Sequence, residues 1–172
     1  MKQTDPLGSI QAVPSFAGLD SGCQTAVEHK AVELWRDAGE MVFREGEPAS
    51  GLYVVKEGWI RAFRTSENGR EQVLRFVGPG ESFNEIGAYA GGVNRASAQA
   101  LEDASLWVID RAALLDLMKS YPGFAEIATS NLAKRVEHLM KMVENLAFHS
   151  VTERLIRMLL DHSDGDFLRK RA

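Results

Sequence analysis

The sequence predicts an α+β protein: an antiparallel β sandwich or barrel, followed by a helical C-terminal part. Three observations predict it. Between Leu34 and Asp110 the chain breaks into short β-rich runs, each closed by turn residues. After Asp110 the apolar spacing changes from two to about 3.6 residues. From Leu132 to Leu146 the apolar residues fall at 4-3-4-3 intervals, the seam of a helix that pairs with its own copy.

Composition bounds the reading. The 172 residues suffice for one domain with a core plus an appended helix. Hydrophobic residues make up 45% and charged residues 26%, an ordinary soluble balance. A net charge of −4 leaves no overall basic footprint for nucleic acid. No run approaches the roughly 18 apolar residues of a membrane span, so no membrane partner is expected. The first 20 residues lack the apolar core of a signal peptide, and the expected location is cytoplasmic. The single cysteine, Cys23, excludes an intrachain disulfide and cannot by itself hold an iron–sulfur cluster.

The elements follow in order. Residues 1–15 read as a loose arm, broken by Pro6, Gly8 and Pro14. Phe16 to about Val32 holds one or two short helices. Four β runs follow: MVFREGEP, GLYVVKEG, WIRAFRTSENG and REQVLRFVGPG. Asn68-Gly69 is a hairpin turn, since both residues tolerate positive φ. Glu45-Gly46, Glu57-Gly58 and Gly78-Pro79-Gly80 punctuate the others. Two more strand-like runs, ASAQALE and SLWVID, lead to Asp110, a helix N-cap. RAALLDLMKSY is a short helix stopped at Pro122, and a long helix runs from about Phe124 to Phe148. Its seam is Leu132, Val136, Leu139, Val143 and Leu146. Met140, Met142 and Ala147 add a second apolar strip, so that one strip faces a twin helix and the other the β domain. The alternative is a single helix packed on the β domain. Ser150-Val151-Thr152-Glu153 is a capping box that opens another helix.

The candidate site is the stretch FNEIGAYAGGVNRAS, Phe83 to Ser97. Glu85 and Arg95 stand at the two ends of a glycine-containing turn between hydrophobic segments. A guanidinium forks onto phosphate oxygens, and a carboxylate accepts from a sugar hydroxyl. Backbone N–H groups of a short helical turn between them would complete a cradle for a small anion. The plainer alternative is a structural salt bridge between the two that pins the turn. Gly91-Gly92 are read as turn-shaping glycines.

With the segments in this order, the chain resembles the CRP/FNR superfamily of bacterial transcription regulators. The resemblance covers about Phe16 to His162. It rests on FREGEPASGLYVVKEGWIRAF, on the turn with Glu85 and Arg95, and on VENLAFHSVTERLIRMLL. It implies an antiparallel β-roll (a jelly-roll-like double-stranded β-helix) with short flanking helices, and a long C-terminal helix that makes a homodimer. The implied division is 1–15 arm, 16–121 cyclic-nucleotide-binding-like sensor, 122–149 dimerisation helix, and 150–172 hinge with the first helix of a DNA-binding region. It further implies that Glu85 holds a ribose hydroxyl and Arg95 a cyclic phosphate. Backbone around Ile86 and Ala96 lines the phosphate site, and Arg135 reaches toward the ligand from the long helix. The implied ligand set is Asn84, Glu85, Ile86, Gly87, Arg95, Ala96, Ser97, Arg135, Leu139 and Met140.

Several positions depart from the family's pattern. Cyclic-AMP binders usually carry a glycine where this chain has Asn84, and a hydroxyl residue where it has Ala96. The two hydroxyl residues that read adenine match Leu139 and Met140, which offer no useful hydrogen bond. Glu85 and Arg95 thus argue for a cyclic nucleotide, and Leu139 and Met140 against tight cyclic AMP binding.

Other functions compete with this reading. Haem is the alternative ligand, with His138 or His149 as an axial donor, against the plainer reading of both as surface histidines. No metal site is otherwise expected. A ligand-free dimerisation module with a vestigial pocket is the third reading. No hydrolase elbow, phosphate-binding loop or zinc helix is visible, so no catalysis is expected. Only ten residues follow His162, too few for a helix-turn-helix. Specific DNA binding is therefore expected only through a module absent from this sequence, which reads as part of a longer regulator or as a stand-alone sensor.

Overall fold

The computed structural model describes residues 13–16 and 18–148. The chain divides into two compact units, residues 1–129 and 130–172.

The first unit opens with a 3-10 turn, Pro14–Phe16, and helix α1, Ser21–Lys30. Asp20 starts α1 from an extended backbone, and its side chain accepts the Cys23 N–H at 2.9 Å. Val13 is fully buried, so the end of the predicted arm is part of the core. Then come β1 (Ala31–Arg36), β2 (Met41–Phe43), β3 (Gly51–Glu57), β4 (Ile60–Thr65), β5 (Glu71–Val77) and β6 (Ser82–Phe83). Helix α2 (Glu85–Ala90) precedes β7 (Ser97–Ala100), β8 (Ala104–Asp110), α3 (Arg111–Ser120) and α4 (Pro122–Phe148).

Eight strands make two four-stranded antiparallel sheets, ordered β1-β8-β3-β6 and β2-β7-β4-β5. The predicted antiparallel roll with flanking helices and a long C-terminal helix is what the chain forms. Two cores explain the apolar runs. Val42, Tyr53, Val55, Ile60, Val77, Phe83, Ala98 and Leu106 form one core cluster. Leu52, Val54, Trp107 and Ile109 belong to the other, with Cys23, Val27, Leu114, Leu117 and Phe124 of the helices. Strands β3 and β8 therefore contribute alternate residues to both clusters. That is why GLYVV reads as a continuous apolar run rather than an alternating one.

Three local readings need correction. Strand β1 begins at Ala31, before the expected change of texture at Leu34. The residue closing α1 is itself extended, and no glycine or proline marks the passage. At the β4–β5 hairpin only Gly69 has positive φ. Gly69 N–H bonds Ser66 O at 2.8 Å and Ser66 N–H bonds Arg70 O at 2.9 Å, so the loop is longer than a two-residue turn. Pro122 does not merely stop α3 but opens α4 as its first residue. A ring-locked φ suits that place, and the missing N–H has no helical partner to lose there. Tyr121 between the helices is extended, as a residue before proline prefers. By contrast, Asp110 caps α3 as expected, accepting from Ala113 N–H at 2.8 Å.

The first turns of α4 are anchored in the first unit. Phe124 is 1% exposed and stacks on Phe16 with ring centroids 6.1 Å apart. In the second unit the same helix is described to Phe148. Leu132 is half-buried, whereas Val136, Leu139, Met140, Met142 and Val143 are exposed, each between 48% and 64%. Leu146 lies on the helix at the next seam position. The predicted hinge over residues 150–172, and His149, lie outside the described residues.

Candidate functional site

Most of the predicted ligand residues lie at the start of α2, in the loop after it and at the start of β7. Asn84 stands at the helix start with φ 66° and ψ 25°, and it is the one non-glycine residue with positive φ among the described residues. Only glycine, and less often asparagine or aspartate, adopts that backbone at small cost. This explains how an asparagine occupies a position where glycine was the expected residue. The Asn84 side chain does not cap α2. It donates instead to Gly51 O and to Asn94 Oδ1, both at 3.0 Å.

Glu85 is the first residue of α2, with a side chain only 14% exposed. Ser82 Oγ donates to its Oε1 at 3.1 Å, and Arg75 Nη1 stands 4.0 Å from the same oxygen. Arg75 also donates to Ser82 O and bridges Glu81 at 3.0 Å, so it is a shared support for the β6–α2 corner. One turn along the helix, burial and the Glu85 charge push the Tyr89 phenol up to about 12. Ile86 is exposed, and Gly87 is buried against the β2–β3 loop. A Cβ on Gly87 would stand 2.6 Å from Ala49 Cβ, so close packing alone demands glycine there.

Arg95 lines a shallow cavity of about 220 Å³ with Glu45, Gly46, Arg64, Val93 and Asn94. It is the one predicted ligand residue on that wall. Its guanidinium has no hydrogen-bond or ion-pair partner among the described residues, so the structural salt bridge to Glu85 is not formed. The neighbouring cation is satisfied: Arg64 reaches Glu45 Oε1 with Nη2 at 2.6 Å and Nε at 2.9 Å. The wall thus carries two guanidiniums and one carboxylate, with Arg95 left uncompensated. Ala96 is half-buried and offers no hydroxyl. Ser97, next along, uses its Oγ to accept from Glu45 N–H at 3.0 Å, which ties β7 to the β2–β3 loop.

That loop is clamped further. Glu47 accepts from Arg44 N–H at 2.7 Å, Gly46 N–H bonds Asn94 O, Asn94 N–H bonds Glu47 O, and Ala49 N–H bonds Gly92 O. Asn94, 2% exposed, also donates from Nδ2 to Arg44 O at 3.3 Å. The sequence does not mark Asn94, Arg64 or Glu45 as site residues, and Glu45 reads there only as part of a turn. They leave no shared pattern in the sequence, and the fold brings them together from distant segments.

Arg135, Leu139 and Met140 lie on α4 in the second unit, as does the exposed His138. Among the described residues no group of three metal-binding side chains is placed to hold a metal ion, and no helix is long and apolar enough to cross a membrane.

A jelly-roll of two antiparallel sheets, a short helix between β6 and β7, and an arginine just before β7 define a cyclic nucleotide-binding domain. Residues 34–121, just over half of the chain, match the family model described as cyclic nucleotide-binding domain. The chain belongs to that family, as a sensor domain of the CRP/FNR type. It is 34% identical over 122 residues to a cyclic AMP receptor protein of Thermus thermophilus, covering 71% of this chain and 56% of that one. A crystal structure of the Thermus thermophilus catabolite activator protein superposes with a TM-score of 0.71 at 31% identity, covering 78% of this chain and 63% of that one. The N-terminal domain of a transcriptional regulator from Streptomyces coelicolor A3(2) gives 0.65 at 28% identity, covering 82% and 99%. The chain spans between half and two thirds of the length of the first curated relatives it matches.

Proposed function

We propose that this chain is the effector-sensing and dimerisation part of a CRP/FNR-type transcription regulator, and that it takes a small cyclic-nucleotide-like ligand in the β-roll. One observation carries the reading: the uncompensated Arg95 guanidinium on the wall of a cavity next to a tightly clamped loop. A phosphate would supply the missing negative charge through two parallel N–H···O bonds. Glu85, held by Ser82 with its carboxylate mostly sheltered, suits a sugar hydroxyl. Similarity to a protein named a cyclic AMP receptor supports the ligand class.

The exposed strip Val136, Leu139 and Val143 supports a homodimer through α4, since such a stripe gains by burial against its own copy. Ligand occupancy would then be passed to a C-terminal DNA-binding module, consistent with the names of the relatives. The ligand shifts that balance only by the difference in its affinity for the two states.

Isothermal calorimetry with cyclic AMP and cyclic GMP tests the reading. Saturable heat that is lost in Arg95→Ala is expected. Equal affinity in the wild type and Arg95→Ala would remove the phosphate role.

A further inference from the structure

A hydrogen bond between the Asn84 and Asn94 side chains joins the two ends of the candidate site. Asn84 immediately precedes Glu85, and Asn94 immediately precedes Arg95. The two amides meet at 3.0 Å. Consecutive Cα atoms are about 3.8 Å apart, so tying Asn84 to Asn94 limits how far Glu85 and Arg95 can separate. We propose that Asn84 and Asn94 form a paired-amide clamp that sets the spacing and aim of Glu85 and Arg95, making both asparagines positioning residues of the ligand site. The proposal rests on the reading of Glu85 and Arg95 as the ligand pair.

The chemistry of the two amides fits this role. An amide carries two donors and an acceptor, so it can join three segments at once. Asn84 Nδ2 donates to Gly51 O at the start of β3 and to Asn94 Oδ1. Asn94 Nδ2 donates onward to Arg44 O, while its backbone bonds Glu47 O and Gly46 N–H. The start of α2, the start of β3, the β2–β3 loop and the loop before β7 are thereby bound at one buried point. The floor is fitted to the amide too: a Cβ on Gly87 would come 2.9 Å from Asn84 Oδ1.

Two features separate a positioning clamp from simple loop stapling. Asn84 accepts a left-handed backbone that glycine would take more easily, and it forgoes capping its own helix. Both concessions serve the bonds to Gly51 and Asn94. The network is also nearly closed to water at Asn94, where its bonds are strong and its geometry well fixed.

The test uses the full chain as wild type, Asn84→Gly, Asn94→Ala and the double variant. Asn84→Gly permits the left-handed backbone while it removes the side-chain amide, so it is expected to fold. Titration with cyclic AMP and cyclic GMP should show each single variant weakened by about tenfold and the double variant no weaker than the worse single. Additive losses would overturn the clamp. A second readout needs no ligand: the Glu85 amide and Arg95 Nε–H signals in nitrogen-15 NMR spectra. Asn94→Ala should move the Glu85 signal, Asn84→Gly should move the Arg95 signal, and adding Asn94→Ala to Asn84→Gly should leave Glu85 where it was. Signals that move only beside each substitution, with a lowered melting temperature, would reduce the pair to a staple and overturn the proposal. If the wild type binds neither nucleotide, the ligand reading fails by itself, and the NMR arm still decides the clamp.

Discussion

Gly87 of α2 lies against Ala49 of the β2–β3 loop so closely that a Cβ on the glycine would stand 2.6 Å from the alanine Cβ. The backbones of the two segments that frame the candidate site are therefore in near-direct contact. Gly87→Ala must push α2 off the loop. It is expected to cost about 1–3 kcal/mol of folding stability, read by urea unfolding. A loss below a few tenths would show that the segments yield freely.

Tyr89 supplies a pH test of where Glu85 points. Burial first and the Glu85 charge second raise its phenol to about 12. The fold favours the neutral form, so this contribution to stability is complete below the ordinary tyrosine value of about 10. It is lost as pH rises from there through about 12. Tyr89 is expected to titrate late in ultraviolet absorbance. Glu85→Gln should bring that late step down only part of the way, because burial is the larger cause. No change at all would place the carboxylate away from the phenol.

The seam on α4 makes a separate prediction. Leu139 and Val143 are exposed in the single chain, so Leu139→Asp with Val143→Asp should leave the β-roll intact. Burying carboxylates across a helix pair is costly, and self-association should weaken by roughly a hundredfold or more. Sedimentation equilibrium reads it. An unchanged mass would exclude this face as the interface.

Much of the fold was legible because its signals are local. Asp110 before a helical pattern reads as a cap, and it is one. The glycine-closed runs read as strands since each is short and bounded. The start of β1 carries no punctuation, so the change of texture reads late, at Leu34, and a helix-opening proline such as Pro122 looks the same as a stop from the N-terminal side. The candidate site is read from the sequence at Glu85 and Arg95, where charged residues flank a glycine turn. Asn84 stood out only as a departure from glycine. Its partner Asn94, and the Arg64–Glu45 pair beside Arg95, are hidden because hydrogen-bond partners from separate segments leave no spacing pattern in the chain.

Native mass spectrometry of the chain with cyclic AMP or cyclic GMP tests the central claim most directly. The account predicts a wild-type dimer carrying nucleotide, and an Arg95→Ala dimer that carries none. A wild-type chain that stays bare at saturating concentrations of both nucleotides would contradict it.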